Sequence, residues 1–116
     1  MTTAIIANLE KMLGGPRDGA LLRYSLGNEW LKAGNPAQAT GCFRAAIEYD
    51  AKYSAAWKLF GKALAENGEI EAALAAFAQG ITVAEARGDV QAAKEMSVFA
   101  KRLRKQLGES GSKAES

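Results

Sequence analysis

The sequence predicts an all-α protein of about six helices stacked as antiparallel hairpins, and three observations carry that prediction. Residues 20–53 and 54–87 align when slid by 34 positions, so that Gly27 falls on Gly61, Gly34 on Gly68, Ala39 on Ala73, Phe43 on Phe77 and Ile47 on Ile81. A period of this length is the mark of a stacked helical repeat. Turn signals at Gly14-Gly15-Pro16, Gly34-Asn35-Pro36, Asp50 to Tyr53, Gly68-Glu69, Gly88-Asp89 and Gly108 cut the 116 residues into helix-length pieces. Within those pieces apolar residues recur at helical spacing, and no stretch sustains the alternation of a β-strand.

Composition bounds what the chain does. With 48% hydrophobic residues and two prolines, residues 1–107 suit a single domain around one shared core. A net charge of +2 is too small by itself to imply nucleic acid or a membrane surface, because nonspecific phosphate binding needs a clustered basic field. The single cysteine, Cys42, excludes an internal disulfide framework and suits a reducing compartment. Residues 1–13 lack the basic start and long apolar run of a secretory signal, and no run of apolar residues is long enough to span a bilayer. A soluble, cytoplasmic protein is expected.

Each element follows from local chemistry. Residues 3–13 carry Ile5, Leu9 and Met12 where a second helix of a preceding hairpin would place its apolar side chains, and so read as an N-terminal capping helix. Asp18, Asn35, Ser54 and Asp89 are the N-cap candidates of the next starts, with Pro36 well suited to a first helical position. Gly34 and Gly68 can take the left-handed conformation that ends a helix. Inside the first helix of each unit sits a glycine, Gly27 or Gly61, that costs about 1 kcal/mol relative to alanine. Close approach of the second helix, through Ala39 or Ala73 with Phe43 or Phe77 alongside, is the expected compensation. Residues 88–107 form a C-terminal capping helix with the stripe Ala93, Met96, Ala100, Leu103 and Leu107, widened by Val90 and Phe99. Its outer face holds Lys94, Lys101, Arg104 and Lys105, as a solvent-facing cap requires. Residues 108–116 are too polar to offset their ordering entropy and are expected to be disordered.

This arrangement of small and aromatic positions resembles the tetratricopeptide repeat (TPR). The resemblance rests on Gly27, Trp30, Ala39, Phe43 and Ala46 in the first unit and Trp57, Phe60, Gly61, Leu64, Ala73 and Phe77 in the second. It implies helix hairpins stacked into a right-handed superhelix, with two full repeats between the caps. Three departures stand out: Arg23 occupies a place usually taken by a large apolar residue, Gly80 replaces a usual alanine, and Ala51 and Glu85 stand where a proline commonly closes each unit. Without that second proline, the helix from Ile70 is expected to run to about Arg87.

The resemblance also implies a concave surface made by successive first helices. Its expected peptide-binding residues are Tyr24, Asn28, Leu31 and Lys32 from the first unit, and Ala55, Lys58, Lys62, Ala65 and Glu66 from the second. The lysines suit a carboxylate or an acidic peptide through charge-assisted hydrogen bonds, although the same residues fit an ordinary solvated face. Some tetratricopeptide co-chaperones grip the C-terminal carboxylate of heat-shock chaperones through lysines, asparagines and an arginine spread over three units. Only Asn28 matches that pattern; Tyr24, Leu59, Asp89 and Ala93 replace its other members, so that ligand is not assigned.

The functional class expected is a non-enzymatic adaptor or scaffold that binds another protein or peptide in this groove, as a monomer or weak homo-oligomer. A self-associating assembly module, acting through hairpin ends or the C-terminal stripe, is the alternative. Lys101-Arg102-Leu103-Arg104-Lys105 invites a nucleic-acid reading, but basic residues also favour a helix C-terminus and no aromatic accompanies them for base stacking. Neither membrane nor nucleic acid is therefore the expected partner. No catalytic residue, cofactor or metal site is expected: the chain has no histidine, no phosphate-binding glycine loop, and acidic residues at Glu66, Glu69 and Glu71 in no metal-loop spacing. Cys42 lacks an activating neighbour and reads as a small, partly buried apolar residue.

Overall fold

In the computed structural model, residues 2–115 are described, with side chains placed over residues 4–108. Six α-helices are found among them: α1 (Thr2–Glu10), α2 (Ala20–Lys32), α3 (Pro36–Tyr49), α4 (Ser54–Glu66), α5 (Ile70–Ala86) and α6 (Val90–Glu115). Each packs on the next in sequence. In addition α2 touches α4 and α4 touches α6, whereas α3 and α5 make no such contact among the described residues. The first helices α2, α4 and α6 therefore crowd together as an inner row, and the second helices α3 and α5 splay as an outer row. That asymmetry curves the stack.

The tight turns between helices are built the same way. Gly34 and Gly68 adopt φ of 78° and 82°, a left-handed geometry that only glycine takes without steric cost. After α2, the Asn35 N–H donates to the Trp30 carbonyl and the Gly34 N–H to that of Leu31; after α4, Glu69 and Gly68 repeat the pattern onto Leu64 and Ala65. These paired bonds satisfy the carbonyls a helix end would otherwise leave bare. Asn35 caps α3 by accepting the Gln38 N–H at 3.2 Å, and Asp89 caps α6 by accepting that of Ala92 at 3.2 Å.

Two other cap expectations fail. Asp18 does not cap α2, because Arg23 claims its carboxylate: Nε donates to Oδ1 at 2.9 Å and Nη2 to Oδ2 at 2.8 Å, while the Gly14 N–H donates to Oδ2 at 2.8 Å. Ser54 lies inside α4 rather than ahead of it, and donates its hydroxyl to Asp89 at 2.9 Å. Arg23, out of place in an apolar position, is thus held by an ion pair and lies 5.8 Å from the Tyr49 ring centroid.

The helix glycines lock the hairpins, with the phenylalanine rings as their nearest neighbours. A Cβ at Gly27 would sit 2.7 Å from the Phe43 ring, and one at Gly61 would sit 2.5 Å from the Phe77 ring. Gly80 is explained by the same test: a Cβ there would meet the Met96 sulfur at 2.5 Å and Trp57 Cβ at 2.8 Å. It lets α5 receive side chains from both α4 and α6. Ala39, Ala73, Phe43 and Phe77 are buried, and Met96 joins them as one of the largest fully enclosed side chains.

At the ends the register differs from expectation. Ile6, not Ile5, is buried under α1; Ile5 and Met12 are exposed and Leu9 is half-buried. The helix also stops at Glu10, where the i→i−3 bonds of Met12 and Leu13 tighten the chain into a turn. In α6, Ala92, Ala93, Met96, Ala100 and Leu103 face the core, while Val90 and Leu107 are exposed. The helix continues through Gly108 to Glu115, where composition predicts disorder from 108 to 116. Gly108 has no positive φ and no proline follows, so nothing stops the helix, and extending one costs far less than nucleating it. Met1 and Ser116 lie outside the described residues.

Candidate binding groove

The inner row brings three helices to one concave face. On α2, Tyr24 is half-buried, its ring held between others, with its centroid 4.9 Å from that of Tyr53 and 6.0 Å from that of Phe43. Asn28 and Leu31 are half-buried and Lys32 is exposed, with the Lys32 ammonium 3.3 Å from the Glu29 carboxylate. On α4, Ala55, Lys58, Lys62 and Ala65 are half-buried and Glu66 is exposed. The three lysines are not equivalent. Lys58 donates to Glu95 of α6 at 3.2 Å, whereas the Lys62 ammonium lies 5.2 Å from the Phe99 ring centroid and forms no ion pair among the described residues.

Helix α6 is therefore more than a lid. Ser54 and Lys58 of α4 reach it through Asp89 and Glu95, and the Arg87 guanidinium bonds the Lys52 carbonyl, fixing the turn that leads into it. The Asp89 carboxyl is held below the usual carboxylate range, chiefly by the Ser54 hydroxyl and then by the Ala92 N–H. Along its inner side α6 places Phe99, Arg102 and Gln106 around an open pocket of ≈ 200 Å³ that Lys62, Ala65 and Glu66 line from α4. Sequence reasoning missed these residues because one apolar stripe serves a cap and an inner helix equally.

The basic run of α6 does not make one stripe. Leu103 is buried in its middle, Arg102 lines the pocket, and Lys101, Arg104 and Lys105 point outward, exposed. Cys42 is half-buried and burial pushes its thiol up, away from the thiolate a nucleophile needs. Trp57 donates its indole N–H to the Ala51 carbonyl at 2.8 Å, and Trp30 packs against the cluster around Phe43. Among the described residues no three of the His, Cys, Asp and Glu side chains are grouped to hold a metal, and no helix is long and apolar enough to cross a membrane.

Repeated hairpins with first helices inside and second helices outside define a helical-repeat protein. Comparison with known proteins agrees. A TPR repeat-containing protein of Pseudomonas aeruginosa is 46% identical over 99 residues, covering 85% of this chain and 94% of that one. The solution structure of a Bordetella parapertussis protein matches with a TM-score of 0.77 at 38% identity, covering 88% of this chain and 89% of that one. A tetratricopeptide repeat domain protein from Salinibacter ruber, also solved in solution, matches with a TM-score of 0.68 at 28% identity, over 76% of this chain and 88% of that one. No protein-family model matches the chain. With that degree of identity over nearly the whole relative, the chain belongs to the tetratricopeptide-repeat proteins.

Proposed function

We propose that the protein is a non-enzymatic adaptor that binds an extended or helical segment of another protein in the groove lined by α2, α4 and α6. The observation that carries this reading is the inner row of contacting helices α2, α4 and α6, on which Asn28, Leu31, Ala55, Lys62 and Ala65 are half-buried and mix apolar with polar groups. Such a face suits recognition through a few anchors within a polar surround. An acidic segment fits best, through Lys62 and Arg102, and a cytoplasmic setting accords with the single cysteine.

Affinity capture from the native cell extract tests the proposal. Asn28→Glu with Lys32→Glu alters the groove at α2, and Gln79→Glu alters the outer face of α5 as a control. Partners should be lost from the first and kept by the second; a partner that both variants hold equally removes the groove reading. A second reading, self-association, draws on Val90 and Val98, which are 59% and 48% exposed on α6. Light scattering across a concentration series decides it, since a mass that stays monomeric at the highest concentration rules it out.

A further inference from the structure

We propose that the pocket between α4 and α6 is an anchoring subsite for a carboxylate carried beside an aryl or branched aliphatic group, as an acidic residue with an apolar neighbour presents them in a peptide. This rests on the groove reading above and specifies its chemistry. The floor is aromatic: Phe77, 1% exposed, stacks on Phe99 with centroids 5.8 Å apart and planes inclined by 24°, and Leu103 and Ala65 extend the apolar lining. At ≈ 200 Å³ the pocket has room for one aromatic ring, since a cavity of about 150 Å³ admits benzene.

The rim is cationic. Among the described residues Arg23, Lys32 and Lys58 each have a carboxylate partner, while Lys62 and Arg102, on facing sides of this pocket, have none. Lys62 already lies beside the Phe99 ring, so its ammonium is held at the edge of the apolar floor. A guanidinium opposite it can take a carboxylate through two parallel hydrogen bonds. Glu66 shares the rim, unpaired with either cation. It lowers the local positive charge, which disfavours a multiply charged phosphate more than a single carboxylate.

The test titrates the full chain with phenylacetate, phenylacetamide, acetate and inorganic phosphate, following backbone and side-chain NMR resonances. Phenylacetate should shift Ala65, Phe99 and Leu103 saturably, with an affinity of about millimolar for so small a probe. Loss of the charge in phenylacetamide or of the ring in acetate should each weaken binding by about fivefold. Arg102→Gln should weaken phenylacetate by a similar factor, Glu66→Gln should strengthen it by about twofold, and Lys101→Gln on the outer face should leave it unchanged. Both rim variants alter solvent-facing groups, and their amide spectra report the fold directly. Equal binding of the amide, of acetate or of phosphate, a Glu66→Gln variant that binds no better, or shifts that never saturate would overturn the subsite. Such a failure leaves the groove reading standing if capture is still lost with the α2 variants, because they share no residue with this pocket.

Discussion

Replacing Gly61 with alanine should destabilise the fold, although the same change elsewhere in a helix does the opposite. The added Cβ would lie 2.5, 2.7 and 2.7 Å from three carbons of the Phe77 ring, closer than any carbon pair tolerates. Phe77 is 1% exposed and stacked on Phe99, so its ring cannot swing away without opening the core. Overpacking of this kind costs about 1–3 kcal/mol, against which alanine returns about 1 kcal/mol of helix propensity. A net loss of up to about 2 kcal/mol remains, and each kcal/mol lowers Tm by several degrees in a domain of this size. Gly41, on the exposed side of α3, has nothing within 4 Å of its would-be Cβ, so Gly41→Ala should raise Tm instead. Thermal melts by circular dichroism read both, and Phe77→Leu in the Gly61→Ala background should recover part of the loss by making room. Shifts of the same sign at the two glycines, or no coupling between positions 61 and 77, would refute the ring-on-glycine lock.

A chain ending at Gly88 should aggregate, because Met96 and Leu103 alone contribute about 1.5–3 kcal/mol each to a stability of about 5–15 kcal/mol; one ending at Gly108 should melt like the full chain, and light scattering with the melt distinguishes them. Asp18 is held well below the usual carboxylate range, first by its bond from Arg23 and then by the Gly14 N–H. A depressed folded value means that its contribution is complete above the unfolded value of about pH 4 and is lost as pH falls through the folded one, so Asp18→Asn should lower stability at neutral pH and flatten the acid limb of a denaturation series. Cys42, its thiol pushed up by burial, should react with iodoacetamide more slowly in the folded chain than in urea; equal rates would contradict its enclosure.

How much of this was readable in advance depended on whether the determining contact was local. The hairpins were legible because a glycine in one helix and a phenylalanine in the next repeat together, and their packing is internal to one unit. The end helices were not. Ile5 and Ile6 are adjacent, about 100° apart on a helix, and only the surface of α2 decides which of them is buried. Likewise the stripe on α6 reads the same for a cap and for an inner helix. Charge pairing was hidden as well: Lys58 looked like a free groove cation until α6 brought Glu95 to it, and Asp18 looked like a cap until Arg23 took it. The first depends on a partner 37 residues away and the second on competition between a cap and an ion pair five residues apart, and spacing within one helix encodes neither.

The two kinds of joint in this stack differ mechanically. Inside each hairpin, a ring pressed on bare backbone admits almost no sliding, whereas α4 and α6 are joined by the part-buried polar ties Lys58–Glu95 and Ser54–Asp89. Hydrogen-bonded and ionic ties at a partly wet seam stretch and re-form at little cost, while close-packed interiors resist any change in spacing. Because α6 is also locked to α5, through Met96 on Gly80 and Phe99 on Phe77, α4, α5 and α6 act as one stiff plate that carries Phe99 and Arg102. A segment seated beside them would meet a face whose curvature is already set by close packing, so little of its binding energy would go into bending the stack.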